Sequence, residues 1–262
     1  MSTKTTGPTT RTPRTTGVTT GPTTAPRTAA VWAAGGYLAI FVLAIFANFL
    51  ALDPVIQPGD ATATAAALQD SESAFRLGAV AFVGIFLIDV VVAWALWVLF
   101  RPVHRDLSLL SAWFRLTYTV VLGAALGFLY AAIWLAGTPD ALGEANDDAV
   151  LLALQTFDFT WVAGLAAFGA HLVVLGVLLL RARGPRWIAW LLLAAGAAYA
   201  VDTVAHLLLA DYEASADVFL AIVAVPSVIG EMSFAVWLLL VATGRRVTPS
   251  APVEGVGTSA GG

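Results

Sequence analysis

Two ionisable side chains lie four residues apart inside a long apolar run of this sequence. Asp202 and His206 belong to the run 187–210, which otherwise consists mainly of Leu, Ala, Ile and Val. Residues four apart share one face of an α-helix, so the carboxyl and imidazole groups would lie together. An ionisable group within a membrane-spanning helix is costly, which makes this pair a candidate functional site.

A carboxyl group and an imidazole on one helix face are suitable ligands for zinc. Asp158 lies in the preceding apolar run, and a short connection makes two helices antiparallel neighbours, so Asp158 would face Asp202. A zinc ion held by Asp158, Asp202 and His206 would keep one position for a water molecule, as in a metal-dependent hydrolase. The alternative is a structural network, in which His206 hydrogen-bonds to Asp202 or to a lipid headgroup.

A second set of polar residues lies near the middle of other apolar runs. At a rise of about 1.5 Å per residue, Asp89 and Glu231 fall close to the midplane of a membrane. Pro226 and Gly230 interrupt the run around Glu231, and Ser227 lies one turn before it. These residues would bind a small polar ligand, a cation or a proton along a pathway. Alternatively, the carboxyl groups stay protonated and hydrogen-bond across helices.

Two further polar residues, Arg115 and His171, lie in apolar runs nearer their basic flanks. Arg115 would extend to the headgroups or pair with an acid, and either role is structural. His171 and His206 both fall within apolar runs, and two histidines can hold a haem. Their estimated depths in the membrane differ by more than one haem allows, so zinc is the cofactor that the sequence leaves open.

The composition is that of a membrane protein. Of 262 residues, 59% are hydrophobic and 11% are charged, whereas a soluble domain carries about 25% charged residues. There is no cysteine, which excludes disulfides and thiolate metal sites. The sequence also lacks a glycine-rich phosphate loop and a His-Glu-x-x-His motif, so no catalytic residue can be assigned.

Six apolar runs are each long enough to cross a bilayer as one helix, which takes about 20 residues. A short helix capped by Asp60 is predicted over 61–68, after the first run. The sequence therefore predicts an all-α protein, an integral membrane bundle of six transmembrane helices over 29–244. A disordered tail at 1–28 and a flexible tail at 245–262 flank it. The predicted spans are 31–52, 75–100, 109–135, 150–180, 187–210 and 218–243.

Charged residues outside the spans are segregated by sign. The N-terminal tail, the loops at 101–105 and 181–186 and the pair 245–246 hold 11 of the 13 Lys and Arg. The three intervening loops hold 11 of the 17 Asp and Glu. Since cytoplasmic loops carry the excess of Lys and Arg, both termini are predicted to be cytoplasmic. The bilayer of the cytoplasmic (plasma) membrane is the expected partner, and the dispersed charges of the N-terminal tail predict no nucleic-acid binding.

Several short stretches together resemble a known family of membrane proteins. They are 58–66 (PGDATATAA), 71–78 (SESAFRLG), 99–104 (LFRPVH), 168–176 (FGAHLVVLG), 199–202 (YAVD) and 230–231 (GE). As a set they are similar to the bacterial multi-pass membrane proteins grouped as domain of unknown function 4386, over about residues 30–243. The resemblance implies the same membrane topology and supplies no activity. Its positions include His171, Asp202 and Glu231.

The sequence favours a non-enzymatic membrane protein that binds a small ligand or an ion, in transport or as an accessory protein. The midplane carboxyl groups of Asp89 and Glu231 motivate this interpretation, together with the lack of a complete catalytic constellation. Two alternatives stay open. One is a metal-dependent intramembrane hydrolase that uses Asp158, Asp202 and His206, and the other is a purely structural helix bundle. The question of enzymatic activity is left undecided.

Overall fold

A computed structural model describes residues 24–250 of the chain. Within this range the protein is helical, and six helices are long and apolar enough to cross a membrane, which confirms the predicted all-α fold. A π-helical segment, Phe46–Leu52, continues the first helix. The helices are α1 (Pro26–Ile45), α2 (Ala61–Asp70), α3 (Glu72–Phe100), α4 (Arg105–Ala136), α5 (Asn146–Arg181), α6 (Arg186–Leu208) and α7 (Ala216–Ala242).

The first helix begins earlier than the predicted span. Pro26 occupies the beginning of α1, where proline is favoured because its missing N–H would have no partner within the helix. Residues 26–28 therefore belong to α1, although the sequence places them in the N-terminal tail. The remaining parts of the predicted tails, 1–23 and 251–262, lie outside the described residues.

The six long helices form a closed ring. Each packs against the next one along the chain, and α7 packs back against α1. Short connections make consecutive helices antiparallel. We call one end of the ring the basic end; it holds the turns at 101–104 and 182–185 and the last residues of α7. The opposite, acidic end holds the loops at 53–60, 137–145 and 209–215.

The short helix α2 lies at the acidic end and confirms the predicted Asp60 cap. The Asp60 carboxylate accepts a hydrogen bond from the N–H of Ala63 at 2.8 Å, which satisfies one of the unpaired donors of the first turn. The side-chain amide of Gln69 donates to the carbonyl of Ala136 at 3.0 Å. α2 thereby covers the ring where α4 ends and α5 begins.

Small residues allow the long helices to approach closely. Gly169 of α5 faces Gly196 of α6 so tightly that a Cβ on Gly169 would lie 2.6 Å from the Gly196 carbonyl oxygen. Lipid provides no hydrophobic force between helices, so association in a membrane relies on such close packing and on polar contacts. The side of α1 that packs in the ring is also lined by small residues, the fully buried Ala29, Ala30, Ala33 and Ala34.

Packing of α1 and α7 differs between the two ends of the ring. The buried residues of α1 all lie between Ala29 and Tyr37, and those of α7 all lie between Ser227 and Val241. None of residues 38–46 or 216–226 is buried. Within α7, Pro226 lies at the boundary and lacks the N–H that would bond the preceding turn. The contact between α1 and α7 is therefore tightest towards the basic end, whereas at the acidic end the π-helical segment buries Ala47, Ala51 and Leu52.

Gly169→Ala is expected to destabilise the protein, because the added methyl group would collide with the Gly196 carbonyl and separate α5 from α6. Gly127→Ala is the matched control, since a Cβ on Gly127 meets nothing within 4 Å. Thermal unfolding in a mild detergent compares the two variants. We expect a lower Tm for Gly169→Ala alone, as alanine is otherwise the better helix former. Equal Tm values would contradict the close contact between α5 and α6.

Candidate functional site

One buried arginine joins four helices inside the ring. Arg115 of α4 is 1% exposed, and it is the largest fully buried side chain in the described part of the chain. Its Nε donates to Oδ1 of Asp89 on α3 at 2.9 Å, and its Nη2 donates to the same oxygen. Its Nη1 donates to the hydroxyl of Tyr37 on α1 at 2.9 Å and lies 3.2 Å from Nε2 of His171 on α5. These charge-assisted bonds connect α1, α3, α4 and α5.

Asp89 has protein partners on both carboxylate oxygens. Oδ1 accepts from Arg115, and Oδ2 lies 3.3 Å from the hydroxyl of Thr119. The Thr119 hydroxyl also lies 2.8 Å from the backbone carbonyl of Arg115, so its one hydrogen serves two acceptors. Asp89 is thus held as the counterion of Arg115. The predicted ligand-binding role of Asp89 stays a prediction. In this structure both carboxylate oxygens accept hydrogen bonds from protein side chains.

The hydrogen bonds of His171 define its tautomer. A guanidinium group has only donors, so Nε2 of His171 must accept the bond from Arg115. The ring hydrogen therefore resides on Nδ1, which lies 2.9 Å from both the carbonyl and the hydroxyl oxygen of Ser111 on α4. His171 is consequently a neutral acceptor that completes the shell of Arg115.

Aromatic rings enclose the guanidinium group. Its central carbon lies 4.9 Å from the ring centroid of Tyr37 and 5.3 Å from that of Phe168, within the range of cation–π attraction. Of the two arrangements predicted for Arg115, the structure contains the ion pair with an acid, and the side chain does not extend to the headgroups. The cluster formed by Arg115, Asp89, Tyr37 and His171 is called the arginine cluster below.

Glu231 of α7 is a second carboxyl group close to the arginine cluster. It shares a helix face with Ser227 and Phe234, both of which are buried, so it faces the interior of the ring. Glu231 is itself half-buried, and it interacts electrostatically with Arg115 and Asp89. Among the described residues it forms neither a hydrogen bond nor an ion pair. A carboxyl group in this setting has acceptor oxygens for a partner other than the protein.

Two hydroxyl groups lie near Glu231. Ser227, one turn away on α7, donates to the carbonyl of Val223 at 2.8 Å and keeps its oxygen lone pairs for an incoming donor or cation. The hydroxyl of Tyr199 on α6 interacts with Ser227 and lies within electrostatic range of Glu231. The ring of Tyr199 packs edge-on against Phe168, at 5.7 Å between centroids. Tyr199 therefore lies beside the predicted pair Ser227 and Glu231, a position that the sequence did not predict although 199–202 is one of its family-like stretches.

A separate polar cluster lies on α6 towards the acidic end. Asp202 accepts a hydrogen bond from the hydroxyl of Tyr212 at 2.7 Å. Nδ1 of His206 lies 3.1 Å from the backbone carbonyl of Asp202 and 3.7 Å from its carboxylate. The rings of His206 and Tyr212 stack with centroids 3.5 Å apart. Asp202 and His206 therefore lie together, as their spacing predicts, and Tyr212 is their additional partner.

The predicted zinc ligands do not come together as a group of three. Asp158 is exposed on α5, and no set of three His, Cys, Asp or Glu side chains between residues 24 and 250 is placed to hold a metal ion. A catalytic zinc uses three protein ligands, and Asp202 with His206 supplies two. These residues do not fit the zinc site of the hydrolase hypothesis. His171 lies in the arginine cluster, apart from His206, and does not form a haem pair with it.

One member of the arginine cluster and two residues that contact it have no signal in the sequence. Tyr37, Ser111 and Thr119 are ordinary residues of apolar helices, and only their contacts reveal a role. The sequence does indicate the ion pair itself, because an arginine deep in an apolar run requires an acid at a similar depth. Arg115 thus has two candidate partners, Asp89 and Glu231, and the structure assigns it to Asp89.

Six apolar helices in a ring, closed over a buried ion pair, define the class of this molecule as a multi-pass membrane protein. The chain belongs to the family described as Domain of unknown function (DUF4386), and the match covers residues 33–242. That range includes nearly all of the six long helices, and it confirms the resemblance carried by the short sequence stretches.

Known relatives add no activity. An uncharacterised protein of the archaeon Archaeoglobus fulgidus is 29% identical over 170 residues, which are 63% of this chain and 85% of the relative. No solved structure matches the chain significantly.

Arg115→Met is expected to destabilise the protein by about 3–5 kcal/mol, the usual cost of leaving one member of a buried ion pair alone. The double variant Arg115→Met with Asp89→Leu should recover part of that loss, because no unpaired charge remains. Arg76→Met is the control: its partner is Glu72, both side chains are about half exposed, and such pairs contribute about 0–1 kcal/mol. Equilibrium unfolding in detergent measures all three. Equal losses for Arg115→Met and Arg76→Met would contradict the role of the arginine cluster.

Proposed function

We propose that the protein binds a small cation at Glu231, inside the membrane, as a non-enzymatic binding, transport or accessory protein. The single observation that supports this proposal is the contrast between two carboxyl groups. Asp89 is bonded on both oxygens, whereas Glu231 forms no hydrogen bond or ion pair with any described residue. An intramembrane acid without a protein partner is a candidate binding group. The proton is the smallest such cation, and a metal monocation or a small ammonium ion is the next.

The charge balance of the region favours a cation. Two acids, Asp89 and Glu231, lie near one guanidinium group, that of Arg115, and His171 is neutral in its present tautomer. With both acids ionised, one negative charge is left over. An uncompensated charge is expensive in a low-dielectric interior, so a proton or another cation at Glu231 would stabilise the folded protein.

Oxygen ligands for such a cation are available around Glu231. Ser227 and Tyr199 supply hydroxyl oxygens.

The acidic end offers the more favourable approach to Glu231. Glu231 is half-buried although it faces the ring interior, so the protein does not enclose its carboxyl group completely. The loops at 53–60, 137–145 and 209–215 contain no Lys or Arg. Their negative charge would concentrate cations at this end. We propose that the cation enters here and that the basic end forms the closed side.

The charge asymmetry of the loops supports an orientation in the membrane. We place the basic end and both termini in the cytoplasm and the acidic end outside, in the cytoplasmic membrane. The lipid bilayer is the partner in this proposal, and no nucleic acid is involved.

Glu231→Gln should abolish cation-dependent stabilisation while leaving the fold intact. The test is thermal unfolding in mild detergent at constant ionic strength, with Na⁺, K⁺ or methylammonium replacing a bulky reference cation, and across a pH series. A ligand bound to the folded state stabilises it by about 2.7 kcal/mol at a concentration 100 times its Kd. We expect the wild-type Tm to rise with at least one of these ions or with protons.

Glu144→Gln, which removes an exposed carboxylate of the acidic end, is the matched control and should keep the full response. The same response in Glu231→Gln as in wild type would overturn the assignment of Glu231. A wild-type Tm that none of the ions or protons changes would favour the purely structural bundle.

The orientation is tested with single cysteines, since the chain contains none. Thr138→Cys lies in an exposed loop of the acidic end, and Val247→Cys lies beyond α7 at a position that is 84% exposed. A membrane-impermeant maleimide should label Thr138→Cys in intact cells and Val247→Cys only after permeabilisation. The opposite pattern would reverse the proposed topology.

A further inference from the structure

A cavity at the basic end lies beside the tight turn between α5 and α6. It measures about 370 Å³ and is lined by Leu180, Arg183, Gly184, Arg186 and Trp190. The lining residues include two arginines and two apolar residues. The cavity lies at the membrane boundary, because α5 ends at Arg181 and α6 begins at Arg186.

The two arginines of this cavity have no acidic partner. Both are exposed, and none of the ion pairs within residues 24–250 involves Arg183 or Arg186. Arginine presents a planar fork of donors that matches a phosphate group, and two such forks on one cavity make a favourable phosphate site.

The backbone at Arg183 ends α5 in a left-handed conformation. The N–H of Arg183 bonds to the carbonyl of Leu180 at 3.1 Å, and that of Gly184 bonds to Leu179 at 2.9 Å. A helix that ends with this pair of hydrogen bonds has one residue in the left-handed conformation, and that residue is usually glycine. Here that residue is Arg183, with φ 54°, and glycine occupies the following position. Glycine would relieve the strain of the left-handed backbone here, so the fold accommodates Arg183→Gly.

The apolar residues of the cavity favour a lipid over a free phosphate ion as its ligand. Trp190 lines the cavity, and Trp187 lies nearby at the beginning of α6; their side chains are 58% and 57% exposed. Exposed tryptophans at the end of a membrane helix lie at the level of the lipid headgroups. Leu180 extends the apolar wall towards the membrane. A ligand with a phosphate and an attached apolar chain matches both halves of the cavity.

We propose that this cavity binds the phosphate of an anionic phospholipid, in the leaflet that the turn between α5 and α6 faces. Arg183 and Arg186 bind the phosphate, and Trp190 and Leu180 contact the glycerol and the upper acyl chain. Basic pockets between membrane helices are suited to such headgroups. The site is separate from Glu231 in position and opposite in charge, so it does not rest on the proposed function.

The test measures lipid binding to the full-length protein in detergent, by native mass spectrometry and by the Tm shift on adding lipid. The probes are phosphatidylglycerol, phosphatidylcholine and soluble glycerol phosphate. The double variant Arg183→Gly with Arg186→Gln removes the site, and Arg245→Gln with Arg246→Gln removes the same charge elsewhere at the basic end. Arg183→Gly suits the left-handed backbone, so this variant should fold at least as well as wild type.

We expect phosphatidylglycerol to bind wild type best and to lose about fivefold in apparent affinity for each arginine removed from the cavity. The Arg245 and Arg246 variant should keep most of the binding. Equal losses in the two double variants would reveal a general charge effect and overturn the site. Equal binding of phosphatidylcholine, or of glycerol phosphate, would overturn the selection of an anionic lipid.

Discussion

The ion pair between Arg115 and Asp89 is the interaction on which the rest of this membrane domain depends. A guanidinium group cannot be left unpaired among apolar helices, and its partners must come from other helices at the same depth. Asp89, Tyr37 and His171 meet this need from α3, α1 and α5. In lipid, where the hydrophobic effect does not drive helices together, these directional contacts select one arrangement of the ring, and small residues such as Gly169 then permit close packing.

The same pairing separates the two midplane acids by role. Arg115 carries one positive charge and forms its ion pair with Asp89. Glu231 lies close enough to Arg115 to interact electrostatically, but it forms no hydrogen bond or ion pair with any described residue. Glu231 follows Pro226, close to the point in α7 where its buried residues begin. A rigid ion pair beside a half-buried acid is a reasonable construction for reversible binding, since the fold does not depend on the group that binds the ligand.

Much of the architecture could be predicted from the sequence. The thickness of a bilayer sets the length of each apolar run, and the alternating sign of the loop charges indicates that consecutive helices run in opposite directions. The meeting of Asp202 with His206 also follows from their spacing alone. Contacts between different helices do not follow in this way. Arg115 lies at a depth from which it could reach either acid, and the rotation of each helix about its axis decides between them. That rotation depends on packing, which also explains why the contacts of Tyr37, Tyr199 and Tyr212 were not predicted. It also explains why Asp158 does not complete a three-ligand metal site with Asp202 and His206.

Infrared difference spectroscopy of the carboxyl groups tests the central claim most directly. Protein reconstituted in lipid would be compared with and without the cation, or at two pH values, in wild type and in Glu231→Asp, whose shorter side chain shifts the band of that one group. We predict a carboxyl band that responds to the cation and moves in Glu231→Asp, while the carboxylate band of Asp89 stays constant. A responding band that is identical in wild type and Glu231→Asp would contradict the division of roles between the two acids.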